Sequence, residues 1–193
     1  MKIIEWPQFL ENGIGPEEKL TSMTIGIFDG VHLGHRALIE RIVSHNINLI
    51  PVIITFRQNH KTKNNERRNL LTFQKRLTMF EKLGIQITIV IDFTEEFKRM
   101  PGIDFLNILL KHGRIGFFAA GYNFRCGNKL DTDADSIKIF FSSHSIPAEI
   151  VPQVTEGGLP ISSSRIRSAV AAGDLSLAQT MLGYAPDNLD SAL

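Results

Sequence analysis

Apolar positions along this chain fall into two alternating patterns. A continuous apolar run at 49–56 reads as a strand buried in a parallel sheet, and the shorter, mainly apolar stretches 23–27, 85–91, 115–120 and 148–151 read as strands too. Between them, apolar residues recur at helical spacing. Leu38, Ile39, Ile42 and Val43 follow 23–27; Phe73, Leu77, Phe80 and Leu83 punctuate 71–83, which Gly84 stops; Ile103, Leu106 and Leu110 lie between Pro101 and Gly113. A further helix is expected over 135–143, and two closing helices over 163–172 and 175–182, hinged at Gly173-Asp174. Such alternation predicts an α/β fold built on a doubly wound parallel sheet, which binds ligands beyond the carboxyl ends of its strands.

Composition narrows the class further. At 193 residues, 43% hydrophobic and 21% charged, the chain is sized for one ordinary globular domain. A formal net charge of +1 gives no bulk electrostatic reason to expect nucleic acid or a membrane surface as partner. The densest basic stretch, 61–68, is broken by Asn and Glu and reads as a solvated loop; the segment 58–69 is expected to be the most mobile. One cysteine, Cys126, cannot form an internal disulfide, which fits a reducing cytoplasm. Lys2, Glu5, Pro7 and Glu11 interrupt any signal-peptide core, and no apolar run nears the ~20 residues that span a bilayer.

Candidate chemistry concentrates at one junction. Gly26-Ile27-Phe28-Asp29-Gly30-Val31-His32-Leu33-Gly34-His35 links the first strand to the first helix. The opening N–H groups of a helix lack intrahelical partners, and its dipole favours negative charge there. Two imidazoles three residues apart reach the same side of that helix start. Gly30 and Gly34 remove side chains that would hold an anion away. A zinc centre needs three or four ligands, and no second His/Cys cluster supplies them. Treating His32 and His35 as ordinary helix-start residues leaves two glycines and an aspartate in the same turn without a reason. The turn reads as a phosphate site.

A second junction supports it. In Ile161-Ser162-Ser163-Ser164-Arg165-Ile166-Arg167 the serines alone would be plain helix caps. Two arginines in that first turn oppose the helix dipole, and a nearby anion would relieve the conflict. A guanidinium also suits bidentate contact with phosphate. No GxxxxGK[ST] loop is present.

Together these motifs resemble the nucleotidyltransferases of the HIGH type, and in local detail the FMN adenylyltransferase module of prokaryotic FAD synthetases. The first stretch matches Gly-x-Phe-Asp-Gly-x-His-x-Gly-His, and the second is similar to Ile-Ser-Ser-Thr-x-x-Arg, with Ser164 where Thr is usual. Gly121-Tyr122-Asn123-Phe124-Arg125-Cys126-Gly127 is similar to Gly-x-(Asp/Asn)-Phe-x-Phe-Gly, with Cys126 replacing the second Phe. The resemblance covers roughly residues 20–184. It departs after Thr55-Phe56, where Arg57-Gln58-Asn59-His60 stands in place of x-Pro-His-Pro, and again across 128–133. The loop at 58–60, lacking the prolines, is expected to settle only when flavin binds.

The resemblance implies a Rossmann-like nucleotidyltransferase fold with C-terminal helices, and transfer of AMP from ATP to FMN with Mg²⁺, giving FAD and pyrophosphate. His32 and His35 would hold the α-phosphate and bridging oxygen, and Arg167 with Ser162, Ser163 and Ser164 the leaving phosphates. Gly26, Ile27, Phe28, Asp29, Gly30 and Gly34 would receive the nucleotide. Thr55, Phe56, Asn123 and Phe124 would face the flavin, although the two phenylalanines suit core packing equally and Asn123 suits a turn. The motifs leave the metal ligands unnamed. They also leave open a different phosphorylated acceptor, or a non-catalytic flavin or nucleotide sensor.

The expected domain is 1–184, with 185–193 a short tail and no riboflavin kinase module; FMN would come from another enzyme or an importer. Nine residues after Tyr184 are too few for a stable β-domain. Purified polypeptide of this sequence, given riboflavin, ATP and Mg²⁺, is therefore expected to form no FMN. Accumulation of FMN by chromatography would refute that expectation.

Overall fold

All five expected strands form and lie side by side. The computed structural model describes residues 1–15, 19–57 and 69–186. Its strands are β1 (Lys2–Glu5), β2 (Thr21–Ile25), β3 (Ile50–Phe56), β4 (Ile87–Ile91), β5 (Ile115–Gly121) and β8 (Ala148–Val151). They form one sheet in the order β1-β4-β3-β2-β5-β8, every neighbouring pair parallel. All residues of β2, β3 and β4 are buried, which is why their sequences show no polar alternation.

Helices cover both faces. Met23, Ile25, Val52, Ile54 and Phe118 face α1 (Trp6–Asn12), α5 (Gly102–His112) and α6 (Ala134–Ser143) through Trp6, Phe9, Phe105, Leu106, Ile137 and Phe141. Ile53, Phe117 and Ala119 face the other way. There they meet Leu38, Ile39 and Ile42 of α2 (Leu33–Ser44), Leu77 and Phe80 of α3 (Phe73–Lys82), and the closing helices α7 (Ser163–Ala171) and α8 (Leu175–Leu182).

The chain moves outward from β2 to β3, β4 on one side and places β5, β8 on the other. The point where strand order reverses therefore lies between β2 and β5, the usual ligand crevice of such sheets. Two connections flank it: the turn after β2 and the turn after β5.

Several elements differ from the expectation. The first strand begins and ends two residues earlier than 23–27, because Gly26 to Val31 leave the sheet for the turn. Edge strand β1 and helix α1 went unanticipated, since Lys2, Glu5 and Pro7 break the pattern there. So did the short helix α4 (Glu95–Arg99), and the two-residue strands β6 (Arg125–Cys126), β7 (Thr132–Asp133), β9 (Thr155–Glu156) and β10 (Leu159–Pro160). The loop expected to be mobile falls at 58–68 outside the described residues, as does its expected ordering by flavin.

The β6–β7 hairpin is antiparallel and sits on the start of α5. There Asp131 Oδ1 accepts from the Gly102 N–H at 3.0 Å. Gly127, at φ 82°, makes that approach possible: a Cβ there would lie 2.4 Å from the Gly102 nitrogen and 2.0 Å from Asp131 Oδ1. Gly127→Ala is expected to cost about 2 kcal/mol or more, which lowers Tm by about 5 °C for a domain of this size. A calorimetric Tm within a degree of wild type would show that the hairpin relaxes freely.

Candidate active site

The turn after β2 is built from reversed peptides. Phe28, Gly30 and Val31 have φ of 54°, 84° and 37°. For a buried β-branched residue such as Val31 this conformation costs about 1–3 kcal/mol and persists only when its surroundings enforce it. They do so through the carbonyls. Ile27 O accepts from Arg76 Nη1 (2.6 Å) and Thr55 Oγ1 (3.4 Å); Phe28 O from the Val31 N–H (3.2 Å); Asp29 O from Ser163 Oγ (2.8 Å); Gly30 O from the Tyr184 hydroxyl (2.6 Å); Val31 O from Arg36 Nε (3.3 Å).

With the oxygens held, the amides of Phe28, Asp29 and Gly30 donate to no acceptor among the described residues. Those of Leu33 and Gly34, in the first turn of α2, have no partner within the helix. Successive N–H groups in such a turn form an anion-binding concavity, reinforced here by a helix N-terminus. The side chain of Phe28 is wholly buried, edge-on to Phe80 and His35, so only its backbone is available to a ligand. Gly26 is small because a Cβ there would touch the Phe28 ring at 3.0 Å, and a Cβ at Gly34 would lie 3.3 Å from the His32 ring.

His32 caps α2: its Nδ1 accepts from the His35 N–H at 3.3 Å. That bond places the imidazole proton on Nε2, leaving a neutral N–H donor. The two rings stack at 3.6 Å, nearly parallel at 17°. Burial pushes His32 down to about 4. Burial holds His35 well below the ordinary range too, with the charges of His32 and Arg76 adding to it. Both imidazoles are therefore neutral near pH 7 in this structure. His35 Nδ1 is shut off from solvent with no partner among the described residues.

Helix α7 approaches the same turn from far along the chain. Ser162 caps it, its Oγ accepting from the Arg165 N–H at 3.2 Å. Ser163 donates to the Asp29 carbonyl, and Arg167 Nη1 pairs with Asp29 Oδ2 at 2.7 Å. Arg167 Nη2 lies 3.5 Å from Ser164 Oγ. Arg165 turns outward to the Leu159 carbonyl at 2.8 Å, away from the turn. Asp29, expected among the nucleotide contacts, has its carboxylate engaged by the protein instead: Oδ1 accepts from the amides of Leu70 (2.9 Å) and Leu71 (3.4 Å). Burial raises its pKa, and Arg167 with those two amides opposes the rise.

The expected flavin residues separate. Thr55 is fully buried and ties β3 to the turn after β2 through the Ile27 carbonyl. Phe56 is 7% exposed and packs edge-on against Phe93 and Phe97; its core role prevails. Asn123 is exposed at the turn after β5, closed by the Phe124 N–H to the Gly121 carbonyl (2.9 Å), and Phe124 packs against the core beneath it. Arg57, in the segment that departs from the family pattern, is paired with Glu5 (2.6 Å) and Asp92 (3.1 Å) across three strand ends.

The family model for FAD synthetase matches residues 15–165. The chain belongs to this family. It is 30% identical over 185 residues to a bifunctional riboflavin kinase/FMN adenylyltransferase of Buchnera aphidicola subsp. Schizaphis graminum, covering 90% of this chain and 59% of that protein. The protein of the same name from Escherichia coli K12 is 27% identical, covering 84% and 54%. This FAD synthetase family chain thus spans a little over half the length of these curated relatives. Among solved structures, one titled a macrolide-efflux protein from Streptococcus pneumoniae superposes with TM-score 0.80 at 23% identity, covering 95% of this chain and 60% of that one. A pantoate-beta-alanine ligase from Francisella tularensis does so with TM-score 0.57 at 15% identity, covering 95% and 78%. Both share the fold.

Three residues that support the turn were missed from sequence: Arg76, Tyr184 and Arg36. All three hold turn carbonyls. Arg76 gave a signal, since it lies on the apolar face with Phe73, Leu77 and Phe80. The hydroxyl of Tyr184 gave none.

The buried imidazoles couple stability to pH. Because the folded value of His32 is about 4 against an ordinary 6.5, the unfolded chain binds protons first as pH falls. Stability is therefore full above 6.5 and is lost between 6.5 and 4, by about 3 kcal/mol for this one residue. His32→Asn keeps a good cap without the titration, so its urea midpoint should fall less steeply over that window. Parallel slopes in the two proteins would contradict the assignment.

Proposed function

We propose that the chain transfers AMP from ATP to FMN, releasing pyrophosphate and forming FAD. The observation that carries this reading is the turn at 27–31: its carbonyls are tied back, the amides of Phe28, Asp29 and Gly30 meet no acceptor among the described residues, and two neutral imidazoles stand at the adjoining helix start. The family match and the relatives' names support the acceptor.

A phosphate oxygen of FMN attacks the α-phosphorus of ATP; a new P–O bond forms, and the bond to the β-phosphate oxygen breaks. The attacking phosphate is already ionised, so positioning and charge stabilisation suffice. His32 and His35 donate N–H groups to the α-phosphate and bridging oxygen as negative charge grows there. The turn amides receive the α- and β-phosphates. Arg167, oriented by Asp29, offers its remaining edge with Ser164 to the departing pyrophosphate. Asn123 meets the flavin from the other side of the crevice. No trio of His, Cys, Asp or Glu suited to a metal occurs among the described residues, and Asp29 is engaged. The described residues do not build a magnesium cage, and Mg²⁺ enters as the counter-ion of the ATP polyphosphate. No helix of the described residues is long and apolar enough to cross a membrane.

The test is incubation with ATP, Mg²⁺ and, separately, FMN, NMN, phosphopantetheine or glycerol phosphate, with products separated by chromatography. FAD is expected from FMN alone. His35→Ala should slow turnover by ~10²–10³, and Arg167→Lys should also impair it, because an ammonium lacks the planar fork. Transfer to another acceptor in preference to FMN would overturn the flavin assignment; ATP binding without any transfer would make the chain a sensor.

A further inference from the structure

Arg76 is among the most deeply buried side chains of the protein, at 2% exposure. Its guanidinium lies at the carboxyl ends of β2 and β3. Nη1 donates to the Ile27 carbonyl (2.6 Å) and to Thr55 Oγ1 (3.4 Å), and Nη2 to the carbonyls of Phe56 and Arg57 (both 3.1 Å). Its face also rests over the Phe73 ring, 5.2 Å from the centroid. Among the described residues no carboxylate is within ion-pair distance; Asp29 acts on it only through space. A buried cation without a contacting anion is expensive to hold.

Its location gives a reason for that cost. The three carbonyls it holds stand at the carboxyl ends of two adjacent parallel strands, the end of such a sheet where ligands bind, and each is the negative end of a peptide dipole. We propose that Arg76 is a positioning residue that turns this carbonyl edge into an anion-compatible floor, holding three carbonyl oxygens and one hydroxyl back so that the polyphosphate meets amides and a positive field. Its act is indirect, through Ile27, Phe56 and Arg57, and its uncompensated charge is answered when the polyphosphate arrives. The inference rests on the proposed adenylyl transfer only for the identity of the anion.

Arg76→Met removes the donors and the charge; Arg76→Lys retains a donor without the fork; Leu77→Ala loosens the same helix without touching the carbonyl edge. ATP·Mg affinity by calorimetry, KM and kcat for FAD formation, and Tm are measured in each. Arg76→Met should weaken ATP binding and raise its KM at least tenfold, with Arg76→Lys between it and wild type. Leu77→Ala should lower Tm while leaving ATP affinity within about twofold. An Arg76→Met protein whose ATP affinity matches wild type, or an Arg76→Met loss no larger than that of Leu77→Ala, overturns the proposal. If Arg76→Met does not fold, Arg76→Lys decides alone: weakened ATP binding with native circular dichroism supports it, and unchanged binding refutes it. Should wild type bind ATP but make no FAD, the acceptor reading fails while the calorimetric arm still judges Arg76.

Discussion

The site depends on the ion pair between Asp29 and Arg167. One buried carboxylate joins three segments that are distant in sequence: the turn after β2, the backbone entering α3 at Leu70 and Leu71, and the first turn of α7. Removing either member would leave the other charge buried and uncompensated, a loss of roughly 3–5 kcal/mol. The pair also orients the guanidinium, since one edge is fixed by Asp29 and the other is directed toward Ser164. Geometry at the phosphate turn is thus a tertiary property. The turn sequence alone could not hold Val31 at positive φ.

That dependence resolves a tension in the histidines. A phosphate site invites the expectation of cationic imidazoles, yet both rings are buried, stacked and neutral. Neutrality is what the stack and the cap require. Two protonated rings stacked at 3.6 Å would repel, and His32 would lose the Nδ1 lone pair that caps α2. Positive charge is supplied instead by arginines, which stay protonated where imidazole does not.

Much of the fold was legible because its central strands are buried on both faces, so 50–56 and 87–91 appear as plain apolar runs. The edge strand β1 and the two-residue hairpins were not, since four or fewer residues with mixed polarity leave no period to detect. At the site, His32, His35 and Arg167 could be read from motif and helix-end electrostatics. Thr55 and Phe56 were placed beside the flavin by resemblance, but β3 is covered on both faces, so both side chains are buried. Arg76 stayed hidden because an arginine among polar neighbours reads as solvated; only its spacing to Phe73 and Phe80 betrays its inward direction. The outward aim of Arg165 against the inward aim of Arg167 follows from their separation by two positions on α7, which puts them on different sides of the helix.

The bond from Tyr184 to the Gly30 carbonyl closes a loop of 154 residues. During synthesis the amino-terminal portion of a chain emerges first, and the central strands can pair as soon as they have left the ribosome. The turn after β2 cannot be completed then: Ser163 and Arg167 are added only with α7, and the tyrosine later still. Completion of this turn is consequently among the last steps of a nascent chain's folding, although most of its backbone is made early in translation.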